Sequence, residues 1–307
     1  MAIDMKILAL DIGGTAIKAG ITDGTGKVEN LKEFETNAKN GGPYVMQRAI
    51  EAAQTYEGFE AIGISTTGQV DPSRGVITYA NENVPNYTGM DVRKIFEDEF
   101  HVPVYVENDV NAAALGETHY GAGKNNRDLL CLTYGTGIGG AIVINRQLYG
   151  GSRGLAGEFG HIVTHPEGKL CACGRKGCYE QYASTTALVR MAKEYRPELT
   201  SGRIIFQEWN KGDEKIKDIV DAWIDEIVYG LVTLVHIFNP NALILGGGIM
   251  SEPYISDQVN EKVHQKVMDS HNDFNIIRAE LKNTAGLLGI ADITYKSIMK
   301  AEKNKTK

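Results

Sequence analysis

"LLCLTYGTGIGGAIVIN" (residues 129–145) joins one apolar strand to a second through a glycine-rich turn. Residues 7–21, "ILALDIGGTAIKAGI", repeat the same order of strand, glycine turn and strand. The repeat predicts an internal duplication, with two α/β lobes that each open on a hairpin. A turn without side chains lets backbone N–H groups surround phosphate oxygens, so two such turns predict a nucleotide phosphate site.

The run "GTGIGG" within this stretch also fits the G-x-G-x-x-G pattern of dinucleotide-binding proteins. That pattern needs a helix directly after it, so that the pyrophosphate sits on the helix N-terminus. Here the β-rich "AIVIN" follows, which favours the hairpin and leaves an NAD enzyme as the alternative. No G-x-x-x-x-G-K-[ST] run occurs in the sequence, which excludes a P-loop protein.

Two acidic residues stand at the ends of predicted strands. Asp11 precedes the first glycine turn, where a carboxylate either caps the backbone or holds Mg²⁺ through water. Asn108 and Asp109 stand where a strand gives way to a helix, and open α/β sheets bind ligands at such ends. Asp109 is there either an N-cap or a general base for an attacking hydroxyl. Asn108 can both donate and accept, which suits sugar hydroxyls.

Cysteine is concentrated in one short segment. Cys171, Cys173 and Cys178 follow His161, and together they make a closed tetrahedral Zn²⁺ set typical of structural sites. The alternative is three thiols without a metal. Cys131 lies in an apolar strand and is interpreted as a buried core thiol.

Length and charge limit the class of protein. A chain of 307 residues favours two lobes, and a net charge of -7 argues against nucleic acid or anionic membranes as partners. No apolar run approaches the ~20 residues of a membrane span, and the N-terminus lacks the pattern of a signal peptide. We therefore expect a cytoplasmic protein, in which clustered cysteines favour a metal over disulfides.

Six motifs in order resemble the ROK sugar kinases of the actin and hexokinase superfamily. They are "LALDIGGT", "VENDVNAAALGE", "YGTGIGGAIVI", "GLAGEFGH", "CACGRKGCYEQYAS" and "LILGGGI". The resemblance runs from residue 7 to about 298. It implies an α/β, two-lobed actin-like ATPase (ribonuclease H-like) fold with an interdomain cleft and a zinc-bound loop. The expected lobes are residues 1–118 with about 290–307, and residues 119–289, which carry the zinc motif.

The resemblance also implies a role for particular residues. Asp109 matches the catalytic base, which activates the 6-hydroxyl of a sugar for phosphoryl transfer from ATP with Mg²⁺. The expected phosphate and adenosine residues are Asp11, Gly13, Gly14, Thr15, Thr136, Gly137, Gly139, Gly140, Gly246, Gly247 and Gly248. The expected sugar ligands are Asn83, Asn108, Glu158, His161 and Glu180. His161 would bind sugar through one ring nitrogen and Zn²⁺ through the other, beside Cys171, Cys173 and Cys178.

The sugar loop "NENVPNYTG" (residues 81–89) departs from the glucokinase pattern. Tyr87 stands where the family's glucokinases commonly have Trp. In this respect the loop resembles the family's N-acetylmannosamine and β-glucoside kinases. The segment "GCYEQYAS", in contrast, resembles glucokinases. We expect a hexose or N-acylhexosamine substrate, with glucose and N-acetylmannosamine first. A β-glucoside or fructose kinase and a non-catalytic sugar sensor are the alternatives.

Partners follow from the same resemblance. The family's repressors carry an N-terminal helix-turn-helix, which we do not expect because the first phosphate strand begins at about Met5. We expect a homodimer that binds sugar and ATP, with no nucleic-acid or membrane partner.

Overall fold

The computed structural model describes residues 5–305, and contacts divide the chain into two compact units. The first unit comprises Met1–Asn125, Ile142–Ala156 and Glu280–Lys307, and the second comprises Asn126–Ala141 and Gly157–Ala279. The observed first unit thus runs past the expected boundary at 118 and resumes before about 290. Residues 1–4 and 306–307, which the expected first lobe includes, lie outside the described residues.

One buried carboxylate explains why the first unit extends further than expected. Glu117 Oε2 accepts a hydrogen bond from Ala122 N at 2.9 Å, and its Oε1 accepts one from Leu281 N at 2.8 Å. The segment just after Glu117 and the segment around Leu281 are therefore held by the same side chain. Apolar periodicity identifies the buried face of a helix. It does not show which polar side chain bonds to a distant segment, so it could not predict this contact.

The first unit is built on a five-stranded sheet and a separate hairpin. The sheet strands are β1 (Ile7–Ile12), β2 (Ala16–Thr22), β3 (Glu29–Glu35), β4 (Ala61–Thr66) and β7 (Val104–Asn108), and the hairpin strands are β5 (Gln69–Asp71) and β6 (Val76–Tyr79). The sheet order is β3-β2-β1-β4-β7, with β1, β4 and β7 parallel. Their carboxyl ends therefore meet at one edge of the sheet, where Asp11 pairs with Ser65 in register.

The second sheet repeats that strand order. Its strands are β8 (Leu129–Tyr134), β9 (Ile138–Ile144), β10 (Gln147–Leu148), β11 (Ala242–Gly246) and β12 (Asn275–Arg278). The order is β10-β9-β8-β11-β12, so β8 occupies the position that β1 has in the first sheet. This is the arrangement that an internal duplication predicts.

Helices follow the strands in both units. The first unit holds α1 (Gly42–Ala53), α2 (Val92–Phe100), α3 (Asp109–Tyr120) and α9 (Ala285–Lys305). The second holds α4 (Glu180–Ala183), α5 (Thr185–Tyr195), α6 (Gly202–Trp209), α7 (Glu214–Phe238) and α8 (Pro253–Lys266). Asp91 caps α2, because its Oδ1 accepts from Lys94 N at 3.0 Å.

The central strand of the first sheet is buried on both faces. Leu8 and Leu10 pack into a core with residues of α1 and α2, whereas Ile7 and Ala9 pack against α9. Consecutive buried residues of this kind are typical of parallel strands covered by helices on both sides. The cover holds β1 rigidly, and with it the position of Asp11 at its end.

Within residues 5–305, no helix combines the length and the apolar character that crossing a bilayer requires.

Candidate active site and metal centre

The first glycine turn joins β1 to β2. Gly13 N donates to Ala16 O at 3.0 Å, and Gly13 O accepts from Thr36 Oγ1 at 2.8 Å. A Cβ added at Gly14 would meet no atom within 4 Å, and both Gly14 and Thr15 are exposed. The turn is therefore anchored at its base and open at its tip, as a phosphate-binding turn requires.

Asp11 lies directly below this turn. Its Oδ1 accepts a hydrogen bond from Ser65 Oγ at 2.7 Å, across the parallel pairing of β1 and β4. Burial raises the pKa of the Asp11 carboxyl, while the hydrogen bond from Ser65 and the charge of Lys18 act in the opposite direction. No sequence pattern indicated Ser65, which supports this carboxylate from the neighbouring strand.

Asp109 is the first residue of α3, at the edge where β7 ends. Its Oδ1 accepts from Val110 N and from Asn108 Nδ2, both at 2.9 Å. Burial, followed by the negative charge of Asp11, raises the pKa of Asp109 to about 7. A carboxyl with a pKa near neutrality is suited to take up a proton during a reaction at physiological pH.

The carboxylates of Asp11 and Asp109 together favour the binding of a cation near them. The charge of Asp11 is the second cause of the raised pKa of Asp109, so the two groups repel each other when both are ionised. A divalent cation would relieve that repulsion. Mg²⁺, which prefers oxygen ligands and retains water, fits Asp11 as a ligand.

Asn108, and not Asp109, is the N-cap of α3. Its Oδ1 accepts from Val110 N at 2.9 Å and from Asn111 N at 3.1 Å, while its Nδ2 donates to Gly68 O at 3.0 Å as well as to Asp109. An amide oxygen has two lone pairs and an amide nitrogen two hydrogens, so these four bonds use its full capacity. The capping alternative for Asp109 is therefore wrong, because its neighbour fills that position.

A second carboxyl group supports the junction between β7 and α3. Glu107 is buried in β7, and its Oε1 accepts from Asn108 N at 2.8 Å and from Asn111 Nδ2 at 3.0 Å. Burial raises the pKa of Glu107, and the two hydrogen bonds oppose that effect. The sequence analysis did not single out Glu107, although an acidic residue inside the apolar strand β7 was the available signal.

The sugar loop lies between β6 and α2. Tyr87 is fully buried, and its hydroxyl shares a 2.7 Å hydrogen bond with Thr66 Oγ1 at the end of β4. Burial, together with the charge of Asp109, raises the pKa of Tyr87. Asn83 is exposed, and its N–H donates to Asn81 Oδ1 at 3.0 Å. Tyr87 thus anchors the loop near Asp109, while Asn83 lies on the surface.

The second glycine turn joins β8 to β9 in the second unit. Gly135 N donates to Gly137 O at 3.0 Å, and Thr136 is exposed at the tip. A Cβ at Gly140 would lie 2.3 Å from Phe159 Cδ2, so only glycine fits there. The half-buried Gly139 precedes it in β9, which is a strand and not the helix that a dinucleotide site needs, so the NAD alternative fails.

A cavity of about 420 Å³ opens beside this turn. It is lined by Tyr134, Gly135, Thr136, Thr185, Thr186, Val189, Thr200, Ser201, Gly202, Gly248 and Ile249. A neighbouring cavity of about 450 Å³ shares Thr185, Gly202 and Gly248. Two predicted glycine motifs, one with Thr136 and one with Gly248, therefore face one space.

The third glycine run packs against the second turn. Gly246 ends β11, and Gly247 has a φ of +102° with its Cα directly over the chain at Tyr134. A Cβ at Gly247 would lie 2.1 Å from Tyr134 O, which explains why glycine is required. The backbones at Gly247 and Tyr134 therefore lie close together beside the cavity.

The four predicted metal ligands lie together in the second unit. One atom from each of His161, Cys171, Cys173 and Cys178 falls within 4.8 Å of all the others. Cys173 Sγ lies 3.6 Å from Cys178 Sγ, and Cys171 Sγ lies 3.7 Å from His161 Nδ1. Tetrahedral Zn²⁺ separates two sulfurs by about 3.8 Å and a sulfur from a nitrogen by about 3.6 Å. The group fits a tetrahedral zinc ion, whereas Cys131 is buried elsewhere, in β8.

The two ring nitrogens of His161 face different partners. Nδ1 faces Cys171, and Nε2 lies 4.0 Å from Glu158 Oε2. Glu180 Oε1 lies 3.9 Å from Nδ1, and the side chain of Glu158 is 46% exposed. The structure therefore brings three predicted sugar ligands of this unit, Glu158, His161 and Glu180, to one place beside the metal group.

Known proteins resemble this chain over nearly its whole length. The model of the ROK family matches residues 7–297. A β-glucoside kinase from Listeria monocytogenes is 34% identical over 291 residues, which is 93% of this chain and 96% of that protein. The crystal structure of a ROK hexokinase from Thermus thermophilus has a TM-score of 0.84 at 36% identity, over 96% of this chain and all of that one. A ROK family glucokinase from Streptomyces griseus, in complex with glucose and AMPPNP, has a TM-score of 0.83 at 33% identity, over 95% and 99%.

The duplicated sheets and these structural matches define an actin-like ATPase fold, as the sequence predicted. Because the family match covers nearly the whole chain, the protein belongs to the ROK family. The recognition of that family from six sequence motifs is confirmed.

Proposed function

We propose that the protein is an ATP-dependent sugar kinase that transfers the γ-phosphate to the 6-hydroxyl of a hexose or N-acylhexosamine. The observation that carries the proposal is the placement of Asp109 at the edge of the first sheet, where Val110 N and Asn108 Nδ2 hold its Oδ1 and where its pKa is raised to about 7, a value suited to a general base. The ROK hexokinase and glucokinase matches support the same reaction class.

In this mechanism Asp109 accepts the proton of the 6-hydroxyl as its oxygen attacks the γ-phosphate. The hydrogen bonds from Val110 N and Asn108 Nδ2 fix one carboxylate oxygen, which leaves Oδ2 to take the proton. Glu107 holds Asn108 from below and so fixes the direction of the base. Phosphoryl transfer depends mainly on such positioning and on charge stabilisation.

The phosphates of ATP would bind at the glycine turns. The open tip at Gly14 and Thr15 and the exposed Thr136 offer backbone N–H groups for phosphate oxygens. Asp11 would hold Mg²⁺, which neutralises charge on the transferring phosphoryl group. The cavity beside Thr136 and Gly248 would take the nucleoside, and the AMPPNP complex of the Streptomyces griseus relative supports this donor.

Sugar recognition would use Asn83, Asn108, Glu158, His161 and Glu180. Glucose and N-acetylmannosamine are the substrates we propose first, and a β-glucoside or fructose is the alternative; the relatives include both a glucokinase and a β-glucoside kinase. The four hydrogen bonds of Asn108 imply that it must exchange one of them to contact a sugar. Zn²⁺ held by His161 and the three cysteines would keep the ligands of the second unit in place. The expected homodimer remains part of the proposal.

The test is an ADP-release assay with MgATP across glucose, mannose, fructose, glucosamine, N-acetylglucosamine, N-acetylmannosamine and cellobiose. Asp109→Asn serves as the blank, and Asp98→Asn, on an exposed part of α2, is the matched control. Sugar-dependent ADP release that Asp109→Asn abolishes and Asp98→Asn retains would support the kinase, and the best sugar would identify the substrate.

A non-catalytic sugar sensor would behave differently in the same experiment. It would show no ADP release with any sugar, while one of the sugars would still raise the melting temperature. That combination would overturn the proposed kinase activity.

A further inference from the structure

A side chain beside the metal group also contacts the second glycine turn. Glu180 Oε1 lies 3.1 Å from Cys171 Sγ. The other oxygen, Oε2, lies only 2.5 Å from where a Cβ on Gly137 would stand. One carboxyl group therefore fills the space between a metal ligand and the backbone of the turn.

A buried pair of tyrosines makes a second connection. Tyr179 directly follows the metal ligand Cys178, and Tyr134 directly precedes the glycine turn; both are fully buried. Their hydroxyls are 3.0 Å apart, and Tyr179 donates its only hydroxyl hydrogen to Ile227 O at 2.8 Å. Tyr134 must therefore donate to Tyr179. Buried hydrogen bonds of this kind fix relative positions because their loss is costly.

A third connection runs through the start of α5. The chain passes from Cys178 through the single turn of α4 to Thr185, whose N–H donates to Gly135 O at 3.0 Å. Trp223 Nε1 holds the preceding residue in place by donating to Ser184 O at 3.0 Å. The first residue of the glycine turn, Gly135, is thus hydrogen-bonded to the segment that follows Cys178.

We propose that the metal centre positions the phosphate-binding turn at Gly135–Gly137, so that metal and nucleotide binding strengthen each other. Tyr134, Glu180 and Thr185 are the positioning residues. The three contacts all join the segment that follows Cys178 to the turn, whereas the role proposed above for this metal concerns the sugar ligands Glu158, His161 and Glu180. The proposal rests on the proposed function, because it takes the turn to be a nucleotide site.

The first test measures the affinity of Mg-AMPPNP by calorimetry without sugar, so that sugar binding by Glu180 does not enter. Tyr134→Phe removes one buried hydrogen bond and should weaken nucleotide binding by about fivefold, at unchanged zinc content. Tyr229→Phe, which removes an exposed hydroxyl on α7, should leave the affinity as it is.

Glu180 provides a second set of variants. Glu180→Ala empties the space beside Gly137 and should weaken nucleotide binding, whereas the isosteric Glu180→Gln keeps the contact and should restore it. Glu167→Ala is the matched control, because Glu167 lies in the same loop and its side chain is 89% exposed. Unchanged nucleotide affinity in both Tyr134→Phe and Glu180→Ala would overturn the proposal.

The reciprocal effect tests the coupling from the metal side. Linkage requires that nucleotide raises zinc affinity by the same factor by which zinc raises nucleotide affinity. Mg-AMPPNP should therefore reduce zinc transfer to a chromogenic chelator in the native protein, and less so in Tyr134→Phe. Equal zinc transfer with and without nucleotide would contradict the coupling. Failure of the native, zinc-loaded protein to bind AMPPNP at all would instead contradict the proposed kinase.

Discussion

At the scale of single residues, the proposed role of Asp109 as the base predicts that the rate depends on pH. Its pKa is raised to about 7, and only the ionised form can accept the proton of a sugar hydroxyl. The value of kcat/KM should therefore fall about tenfold per pH unit below pH 7 and level off above it. Asp109→Asn should lower turnover by roughly 10²–10⁴-fold.

A pH profile from 5 to 9, with ADP quantified directly, measures this acid limb. Because the charge of Asp11 helps to raise the pKa, whatever activity Asp11→Asn retains should show its acid limb at lower pH. An acid limb near pH 4 in the native protein would contradict the raised pKa of Asp109.

The same raised pKa makes Asp109 costly for stability. An unfolded Asp titrates near 3.9 and the folded one near 7, so the folded state binds more protons between these values. Stability from this group therefore decreases as the pH rises from about 4 to 7, and the full cost is present above pH 7. Asp109→Asn removes the charge and should stabilise the protein by about 1–3 kcal/mol at pH 8.

Thermal unfolding of native protein and Asp109→Asn at pH 8 and at pH 5 measures this difference. The gain in melting temperature should be larger at pH 8, because at pH 5 the native side chain is largely protonated already. A destabilised Asp109→Asn at pH 8 would contradict the buried charge as the cause.

The sequence singled out candidate residues more readily than the residues that support them. The cysteine cluster was noticeable from its residue types, and Asp109 from its place between a strand and a helix and from the family resemblance. The cap at Asn108 and the buried Glu107 depend on which of several adjacent polar residues turns inward. Tyr87 was noticed only as a departure, and its burial against Thr66 follows from three-dimensional packing that a linear pattern does not contain.

At the scale of elements, the loop from His161 to Cys178 is where a bound zinc ion would affect shape most. The loop contains little regular structure and is held by local backbone hydrogen bonds, such as Cys171 N to Arg175 O at 2.7 Å and Gly177 N to Lys169 O at 2.9 Å, to which four ligand bonds would add. Cys173→Ser should lose zinc, lower the melting temperature and weaken sugar binding. Cys131→Ala is the matched control, since it changes a cysteine of β8 outside the metal group and should retain the zinc.

Zinc content by atomic absorption and sugar affinity by calorimetry measure these effects. A Cys173→Ser protein that retains zinc at the native level would show that three ligands suffice. Native sugar affinity in a zinc-free protein would show that the loop keeps its shape without the metal.

Helices α3 and α9 approach each other through glycine. A Cβ at Gly289 would lie 1.7 Å from Ala112 O, and one at Gly116 would lie 2.2 Å from Ala285 O. Gly289→Ala should therefore force the helices apart and destabilise the protein by about 1–3 kcal/mol. Gly202→Ala, at the start of α6, is the control because its Cβ would meet only ordinary contacts at 3.5 Å or more.

Urea unfolding of both variants tests this packing. Equal stability of Gly289→Ala and the native protein would show that the two helices separate without cost.

Elements with a buried face were predictable, and exposed ones were not. β1, β2 and α7 show apolar runs or helical periodicity, and the structure confirms them. Strand β3, "ENLKEFE", is almost entirely exposed and mostly polar, so no hydrophobic pattern marked it. It pairs with β2 at the edge of the sheet, where charged side chains discourage pairing with another chain.

At the scale of the whole molecule, the end of the chain completes the first unit. Helix α9 contributes Leu287, Ile290 and Ala291 to a cluster with Ile7 and Ala61. The first unit consequently lacks the cover on one face of its central sheet until α9 has been synthesised.

This dependence predicts a sharp difference between two C-terminal deletions. Removing residues 301–307 takes away a segment whose described side chains, 301–304, are exposed, and it should leave the melting temperature nearly unchanged. Removing residues 285–307 exposes the apolar face of β1 and β4 and should make the first unit susceptible to protease. Ile290→Ala, which creates a cavity in the same cluster, should cost about 2–4 kcal/mol.

Limited proteolysis of the protein that lacks residues 285–307, followed by mass spectrometry, would locate the cuts. Because none of the described residues in this cluster belongs to the second unit, we expect the cuts in residues 5–125. Cuts confined to residues 157–279 would show that α9 supports the second unit instead.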